Sequence, residues 1–354
     1  GTISRGLMKV VPSQSLFKPE GNKLDLLNTL NDKHIRAVYE SKNGTLWVGT
    51  IDGLLLQYDL QRNEIQEFRS DFVAGSKNRL SGPDIDAIYE DKEGIIWIGT
   101  FSGIDKLDPK SGTITHQQIK YDNKIDDFNV DVEAIIEADN ENLWIAVWTY
   151  GLFKYNKKTL VIEYYGWQES DSTSLSNNQI FTLFKTKAGD LWVGTSDGLN
   201  LFDESNKTFK HYLMGTSVSS IQEDDKGILW AGTNNGLYKL DLKINSISHY
   251  TKENGLPSNL IGGILSDDKN FLWVGTSAGL VRFNSEEETF LNYDGSDGAQ
   301  SDLYETGNSY FKTKAGLLLF GSFDGITVFD PSKIKHNTNA PNILIKGVNI
   351  LNSG

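Results

Sequence analysis

Cysteine is absent from the 354 residues, which excludes disulfides, thiolate nucleophiles and cysteine-zinc sites and leaves the redox compartment open. Histidine is scarce: five scattered residues predict no His-rich metal centre, and neither a metal nor a cofactor is expected. Positive charge is also short, with 34 Lys and Arg against 47 Asp and Glu, a formal net charge of −13. That balance denies the chain the basic face that direct contact with nucleic acid or an anionic membrane requires. No apolar run approaches the roughly 18 residues of a membrane span, and the first 20 residues lack a charged-then-apolar leader pattern. Proline is rare at 7 residues while glycine reaches 34, alongside 8 Trp, 14 Tyr and 17 Phe. Such a mixture suits many short strands joined by tight turns.

What is present is a repeat. LWVGT at 46–50 returns as IWIGT (96–100), LWIAV (143–147), LWVGT (191–195), LWAGT (229–233) and LWVGT (272–276), with a degenerate LLFGS at 318–322. The anchors Trp47, Trp97, Trp144, Trp192, Trp230, Trp273 and Leu319 are spaced by 50, 47, 48, 38, 43 and 46 residues. This is the length of one four-stranded propeller blade. Twelve residues before the anchors stand Ile35, Ile85, Val132, Ile180, Val218, Ile261 and Gly307. Ten before them stand the small residues Ala37, Ala87, Ala134, Thr182, Ser220, Gly263 and Ser309, and nine before them a large apolar one such as Val38 or Ile88. That constancy pins an inner strand in register, because a one-residue slip would turn its core residues to the other face. Each anchor strand is followed by a turn ending in Gly53, Gly103, Gly151, Gly198, Gly236, Gly279 or Gly325, then a third strand and a more polar fourth. No helical period competes.

These features predict an all-β chain: a seven-bladed β-propeller of four-stranded antiparallel blades over 1–336. The last copy lacks an outer strand before Pro331, and a spare one lies around Leu16 and Phe17, about 30 residues ahead of Trp47 as Phe68 is 29 ahead of Trp97. Ring closure by this N-terminal strand would hide the two edges of an open array. Residues 337–354 leave the repeat and read as a linker and the first strand of a following, truncated immunoglobulin-like domain.

The pattern I-x-x-I-x-E-D-x-x-G-x-L-W-[IV]-G-T-x-x-G-L-x-x-[YF]-[DN] resembles the two-component regulator propeller repeat of hybrid sensors abundant in glycan-degrading Bacteroidetes. TSLSNNQI (173–180) and NGLPSNLI (254–261) resemble its connectors, and APNILIKGVNI (340–350) resembles the opening of the immunoglobulin-like domain that follows such propellers. The resemblance implies a periplasmic, ligand-sensing ectodomain of an inner-membrane sensor, with histidine kinase and transcription-regulating parts elsewhere in the parent. This chain has no phospho-accepting His box, nucleotide-binding glycine motif or receiver Asp, so it is read as no enzyme itself. Two departures occur: Ala146-Val147 replaces Gly-Thr in the third copy, and the seventh loses its Trp.

Other motifs yield to the repeat. Gly194-Thr195-Ser196-Asp197-Gly198 and Gly275-Thr276-Ser277-Ala278-Gly279 match G-x-S-x-G, but a nucleophile elbow needs a helix next and here a strand follows. Asp225-Lys226-Gly227-Ile228-Leu229-Trp230 approximates a sialidase Asp-box turn, yet six arginines in the whole chain are too few for a carboxylate-binding cluster. His116, His211 and His249 each fall in the outer strand of a different blade. The run Asp294-Gly295-Ser296-Asp297-Gly298 with Asp302 has calcium-loop composition without the spacing or closing Glu, and reads as a solvated loop.

Three aromatic residues stand outside the core pattern. Trp148 and Tyr150 occupy the turn of blade three, read here as alone in gaining a residue, and Trp167 opens the loop into blade four. Large rings on turns either cover a local patch or meet a ligand, and flat apolar faces flanked by polar groups suit sugar rings. Phe101, Asn234, Asn235 and Phe323 occupy matching turns, while Asp126, Asp127 and Tyr304 lie in or beside blade-to-blade loops. The expected function is recognition of an oligosaccharide or other small ligand. The expected partners are an adjacent propeller, the immunoglobulin-like domain and a homodimer mate. A propeller lyase or hydrolase and a non-catalytic scaffold are the alternatives.

Overall fold

The computed structural model describes residues 17, 24–59, 62–70, 79–117, 119–121, 124–126 and 131–334. Six consecutive four-stranded antiparallel sheets and a three-stranded seventh make seven blades. The inner strands are Ile35–Glu40, Ile85–Glu90, Val132–Glu137, Ile180–Lys185, Val218–Glu223, Ile261–Ser266 and Tyr310–Lys312. Each touches the next in order and the seventh touches the first, so the blades close into a ring.

The anchors lie where the repeat places them: all six tryptophans and Leu319 are buried between blades. In three blades an aspartate six residues earlier fixes both the turn and the ring. Asp224 Oδ1 accepts the backbone N–H groups of Lys226 and Ile228, and its Oδ2 accepts the Trp230 indole N–H at 3.1 Å. Asp91 and Asp267 do the same for Trp97 and Trp273. The Asp-box-like turn therefore works through Asp224, while Asp225 is exposed and pairs with Lys187. The anchor-strand glycine answers a different need. A Cβ on Gly99 would lie 2.5 Å from the Val132 carbonyl oxygen, because the next inner strand crosses there.

Ring closure draws on the N-terminal segment. Phe17 is buried, its ring edge-on to Phe329 at 5.0 Å and to Tyr293 at 5.4 Å. Phe290 contacts the matching rings one blade earlier, stacked on Phe283 and edge-on to Tyr250. Phe17 thus packs against blade seven on the side where its fourth strand is expected. The residues flanking Phe17, and the tail from 335 onward that includes the expected second domain, lie outside the described residues.

One element contradicts the expectation of no helix. Leu24–Leu30 forms a short α-helix whose Leu26 and Leu30, four apart on one face, pack with Ile35, Leu319 and Ile326 across the seam of blades seven and one. Seven residues are too few for a helical period to stand out against the strand pattern. Outside the blades, Lys124–Asp126 pairs with Ile119–Tyr121 in a small hairpin.

Candidate functional site: the mouth of the central channel

The inner strands carry one residue that the repeat leaves variable, eleven before each anchor. In blades one to five it sits in a β-bulge between two paired residues, as Arg36 does between Ile35 and Ala37. A bulge re-aims the side chain it frees. Around the ring this position reads Arg36, Asp86, Glu133, Phe181, Ser219, Gly262 and Asn308. The Asn308 amide donates to the carbonyls of Asp86 and Glu133 in blades two and three, crossing the axis. Beyond it a cavity of about 360 Å³, lined by Val38, Ile88, Ile135, Leu183, Ile221 and Tyr310, occupies the opposite half of the channel.

A second ring surrounds the mouth. Four residues after each anchor stand Ile51, Phe101, Trp148, Ser196, Asn234, Ser277 and Phe323. The first six donate their backbone N–H to the residue that opens their own blade: His34, Asp84, Asp131, Gln179, Ser217 and Leu260. These three positions make the mouth lopsided. Blades seven, one, two and three supply Phe323, Ile51, Phe101, Trp148 and nearly all the charge; blades four to six supply mostly small or neutral groups.

The charged half is a single network. Arg36 Nε lies 2.6 Å from Asp86 and 3.1 Å from Asp84, and its Nη1 lies 3.6 Å from Glu305. Glu305 also binds His34, whose ring stacks on Phe323 at 4.2 Å. Burial alone would lower the Arg36 pKa, but Asp86, Asp84, Glu305 and Glu133 more than reverse it and hold it above the usual value. Burial pushes Asp86 up to about 9, with Glu133, Asp84 and Asp131 adding to it against the pull of Arg36. Burial likewise takes Glu133 up to about 8, helped by Asp131. Asp131 is raised by burial and by Asp84, against the pull of Arg36. Glu305 goes the other way: burial would raise it, but its bonds to His34 and the Thr306 N–H, with Arg36 nearby, bring it down.

These shifts have a sign. A carboxyl with a raised folded pKa costs nothing below its unfolded value of about 4, where both states are protonated. Stability is then lost as pH rises through the folded values of about 8 and 9. The melting temperature is therefore expected to fall between about pH 5 and pH 8.5, and Asp86→Asn to flatten that fall. Melting curves at three pH values check it; an unchanged slope in the variant would locate the proton uptake elsewhere.

The residues singled out from sequence divide. Phe101 is 56% exposed, and Tyr150, Trp167 and Phe323 are also exposed. Trp148 is half-buried with its ring 5.2 Å from Phe181, so it belongs to the channel mouth. Trp167 stands on the rim, its N–H bound to Asn178 Oδ1, the atom that a Cβ on Gly151 would approach within 3.0 Å. Trp167 and Gly151 thus both lie against Asn178, while Trp148 leans on Phe181. Asn234 and Asn235 are exposed and hold turns, through Ser217 and Thr233. Tyr304 is a correction: only 3% exposed, it packs in the seam of blades six and seven with its hydroxyl 3.1 Å from Thr327 Oγ1, and offers no surface to a ligand. Asp126 closes the small hairpin, and Asp127 lies outside the described residues. Nor is blade three alone in its longer turn. Trp47 pairs with Gln57 as Trp144 pairs with Lys154, ten residues on, whereas Trp97 pairs with Lys106, nine on.

Sequence reasoning missed Arg36, Asp84, Asp86, Asp131, Glu133, Glu305 and His34. The signal was there in the column between the constant positions, where charge gathers in three successive blades. The remaining motifs stay apart. His116, His211 and His249 bind Asp105, the Ser174 carbonyl and the Asn235 carbonyl in separate blades. Ser196 and Ser277 stand in turns that lead into strands. In the aspartate run, Asp294 and Asp297 cap a 3-10 turn and Asp302 accepts from the Gly295 N–H.

The fold is a seven-bladed propeller with an aromatic and acidic half to the mouth of its channel. Five of its seven blades match the two component regulator propeller repeat, at residues 29–52, 79–102, 174–197, 212–235 and 255–278. The chain is similar to the extracellular domain of a putative hybrid two component system from B. thetaiotaomicron, with a TM-score of 0.66 and 20% identity over 84% of this chain and 38% of that one. A second such domain from the same organism gives 0.55 and 18%, over 84% and 51%. The chain therefore spans well under two thirds of either. Virginiamycin B lyase from Staphylococcus aureus shares the fold at 0.63 and 13%, over 84% and 95%. No curated protein sequence matches significantly. Among the described residues no helix is long and apolar enough to cross a membrane.

Proposed function

We propose that this propeller is the ligand-recognition part of a periplasmic sensor, that its ligand is an oligosaccharide, and that it performs no chemistry of its own. The observation that carries this reading is the lopsided mouth: exposed or half-exposed rings at Phe323, Phe101 and Trp148 stand beside carboxylates at positions where blades four to six carry neutral groups. An otherwise strict repeat yields to function where it breaks its own rule. Rings stack on the apolar faces of sugars while carboxylates accept from their hydroxyls. Occupancy would bias the packing of this propeller against neighbouring domains or a second copy, and so a histidine kinase beyond the membrane.

Thermal-shift screening against plant and host oligosaccharides tests it, because a ligand of the native state raises the melting temperature by mass action. With the cognate ligand, Trp148→Ala and Phe101→Ala are each expected to weaken binding by about 1–3 kcal/mol, the scale of an aromatic anchor. Undiminished binding in both variants would remove these rings from the site. Cleavage of the ligand on incubation would favour the enzyme reading instead.

A further inference from the structure

Beyond Asn308 the channel is walled by apolar groups. Eight residues before each anchor stand Tyr39, Tyr89, Ile136, Phe184, Gln222, Leu265 and Phe311, and every one of them borders the cavity of about 360 Å³. Six of the seven are large and apolar, and of those six only Leu265 is fully buried. Three rings form an arc: Tyr39 lies 5.6 Å from Phe311 and 6.3 Å from Tyr89, edge-on to the second. Tyr310 completes the wall at blade six, where Gly263 leaves the space that a Cβ would take from its ring. Asn308 stands between the cavity and the mouth, its amide held by the carbonyls of Asp86 and Glu133. The cavity therefore lies apart from the site proposed above.

Charge is kept to its edge. One residue further along the inner strands, Glu40, Glu90 and Glu223 accept the backbone N–H groups of Lys314, Lys42 and Lys187 in the preceding blade. Lys185 is bound to the Ala138 carbonyl and Lys312 to Asp268. Burial raises the phenol pKa of Tyr39 and of Tyr89, and Glu137 adds to it at Tyr89. The same two forces disfavour any anion brought beside these rings. Uncharged polar groups remain in the lining, among them the Tyr39 and Tyr89 hydroxyls and the Gln222 amide, whose Nε2 donates to the Glu223 carbonyl.

We propose that this cavity is a second ligand site, for a neutral aromatic molecule of two fused rings that carries a hydroxyl. Concave, mostly apolar pockets with a few polar groups are where small molecules bind, and apolar walls give water few partners. A cavity of about 150 Å³ holds one benzene ring, so this one has room for two fused rings. The arc of Phe311, Tyr39 and Tyr89 offers both faces and edges for ring contact. A sugar would leave hydroxyls unpaired against these walls, which is costly. The proposal is independent of the saccharide reading, which concerns the mouth.

Calorimetric titration of the full chain with β-naphthol, naphthalene, β-naphthoate and decanol tests it. β-Naphthol should bind one site per chain with a Kd below about 1 mM and release heat, as apolar ligands do in preformed, poorly hydrated pockets. β-Naphthoate should bind at least about tenfold more weakly, because the pocket disfavours anions. Ile136→Trp, which fills the cavity, should weaken β-naphthol at least about tenfold while the melting temperature holds. Tyr39→Phe combined with Tyr89→Phe keeps the walls, and should lower the affinity ratio of β-naphthol to naphthalene at least about threefold. This pair decides the matter if Ile136→Trp does not fold. An unchanged ratio, undiminished binding in a folded Ile136→Trp, or stronger binding of β-naphthoate or decanol would each overturn the proposal. So would failure of β-naphthol to bind with a Kd below about 1 mM.

Discussion

Trp192→Ala is expected to destabilise the chain by about 3–5 kcal/mol, the range for emptying the site of a large buried aromatic. The ring is 1% exposed, lies 5.3 Å from Tyr212, and packs with Leu199, Val218, Ile221 and Ala231 at the seam of blades four and five. Two blades lose their contact at once, and the rigid ring of seven leaves little freedom for either to close the gap. Trp167→Ala is the control. Half exposed on the rim, it should cost well under half as much. Denaturant unfolding of the two variants side by side checks this; equal losses would mean that Trp167 is a core residue or Trp192 is not.

Phe17→Ala should cost a comparable amount, about 3–5 kcal/mol, although it lies in an N-terminal segment far from any repeat. Its ring closes a cluster with Trp273, Tyr293, Phe320 and Phe329, and the neighbouring helix seals the seam through Leu26 and Leu30. Asp32 N–H and the Gln300 side chain bind the Asp324 carbonyl, tying the same segment to blade seven. Removing residues 1–20 should lower the melting temperature further than Phe17→Ala, because an unpaired edge is exposed as well as a cavity. An unchanged melting temperature after the deletion would show that the ring closes without this segment.

The contrast between these two residues explains what the sequence made legible. Trp192 recurs at a fixed interval among constant neighbours, so its burial follows from the repeat. Phe17 occurs once. Its role came from counting strands and finding one short, which pointed to this segment; the closing strand itself lies outside the described residues. The helix at Leu24–Leu30 left no signal beside it, since Leu26, Leu27 and Leu30 span less than two turns.

The candidate site was hidden for the opposite reason. Searching for constancy finds Ile35, Ala37 and Val38 and passes over Arg36 between them, because a bulge position is free to vary and so carries no repeat. Aromatic residues on turns were visible as exceptions, but sequence could not say that Trp148 leans on Phe181 while Trp167 stands on the rim. Tyr304 misled because a loop residue was assumed to face solvent; the anchor-strand Gly275 leaves room for it, a Cβ there lying 3.0 Å from its own. The added residue in blade one escaped notice because Gly53 keeps the common spacing and the shift shows only in the pairing of Trp47 with Gln57.

The central claim is that recognition takes place at the mouth of the channel, on the side of blades seven, one, two and three. The most direct measurement is a crystal structure with the oligosaccharide that raises the melting temperature most. The account predicts density over Phe101 and Trp148, within hydrogen-bond reach of Asp84 and Asp131. Density confined to the apolar cavity beyond Asn308, or to the outer strands of any blade, would contradict it.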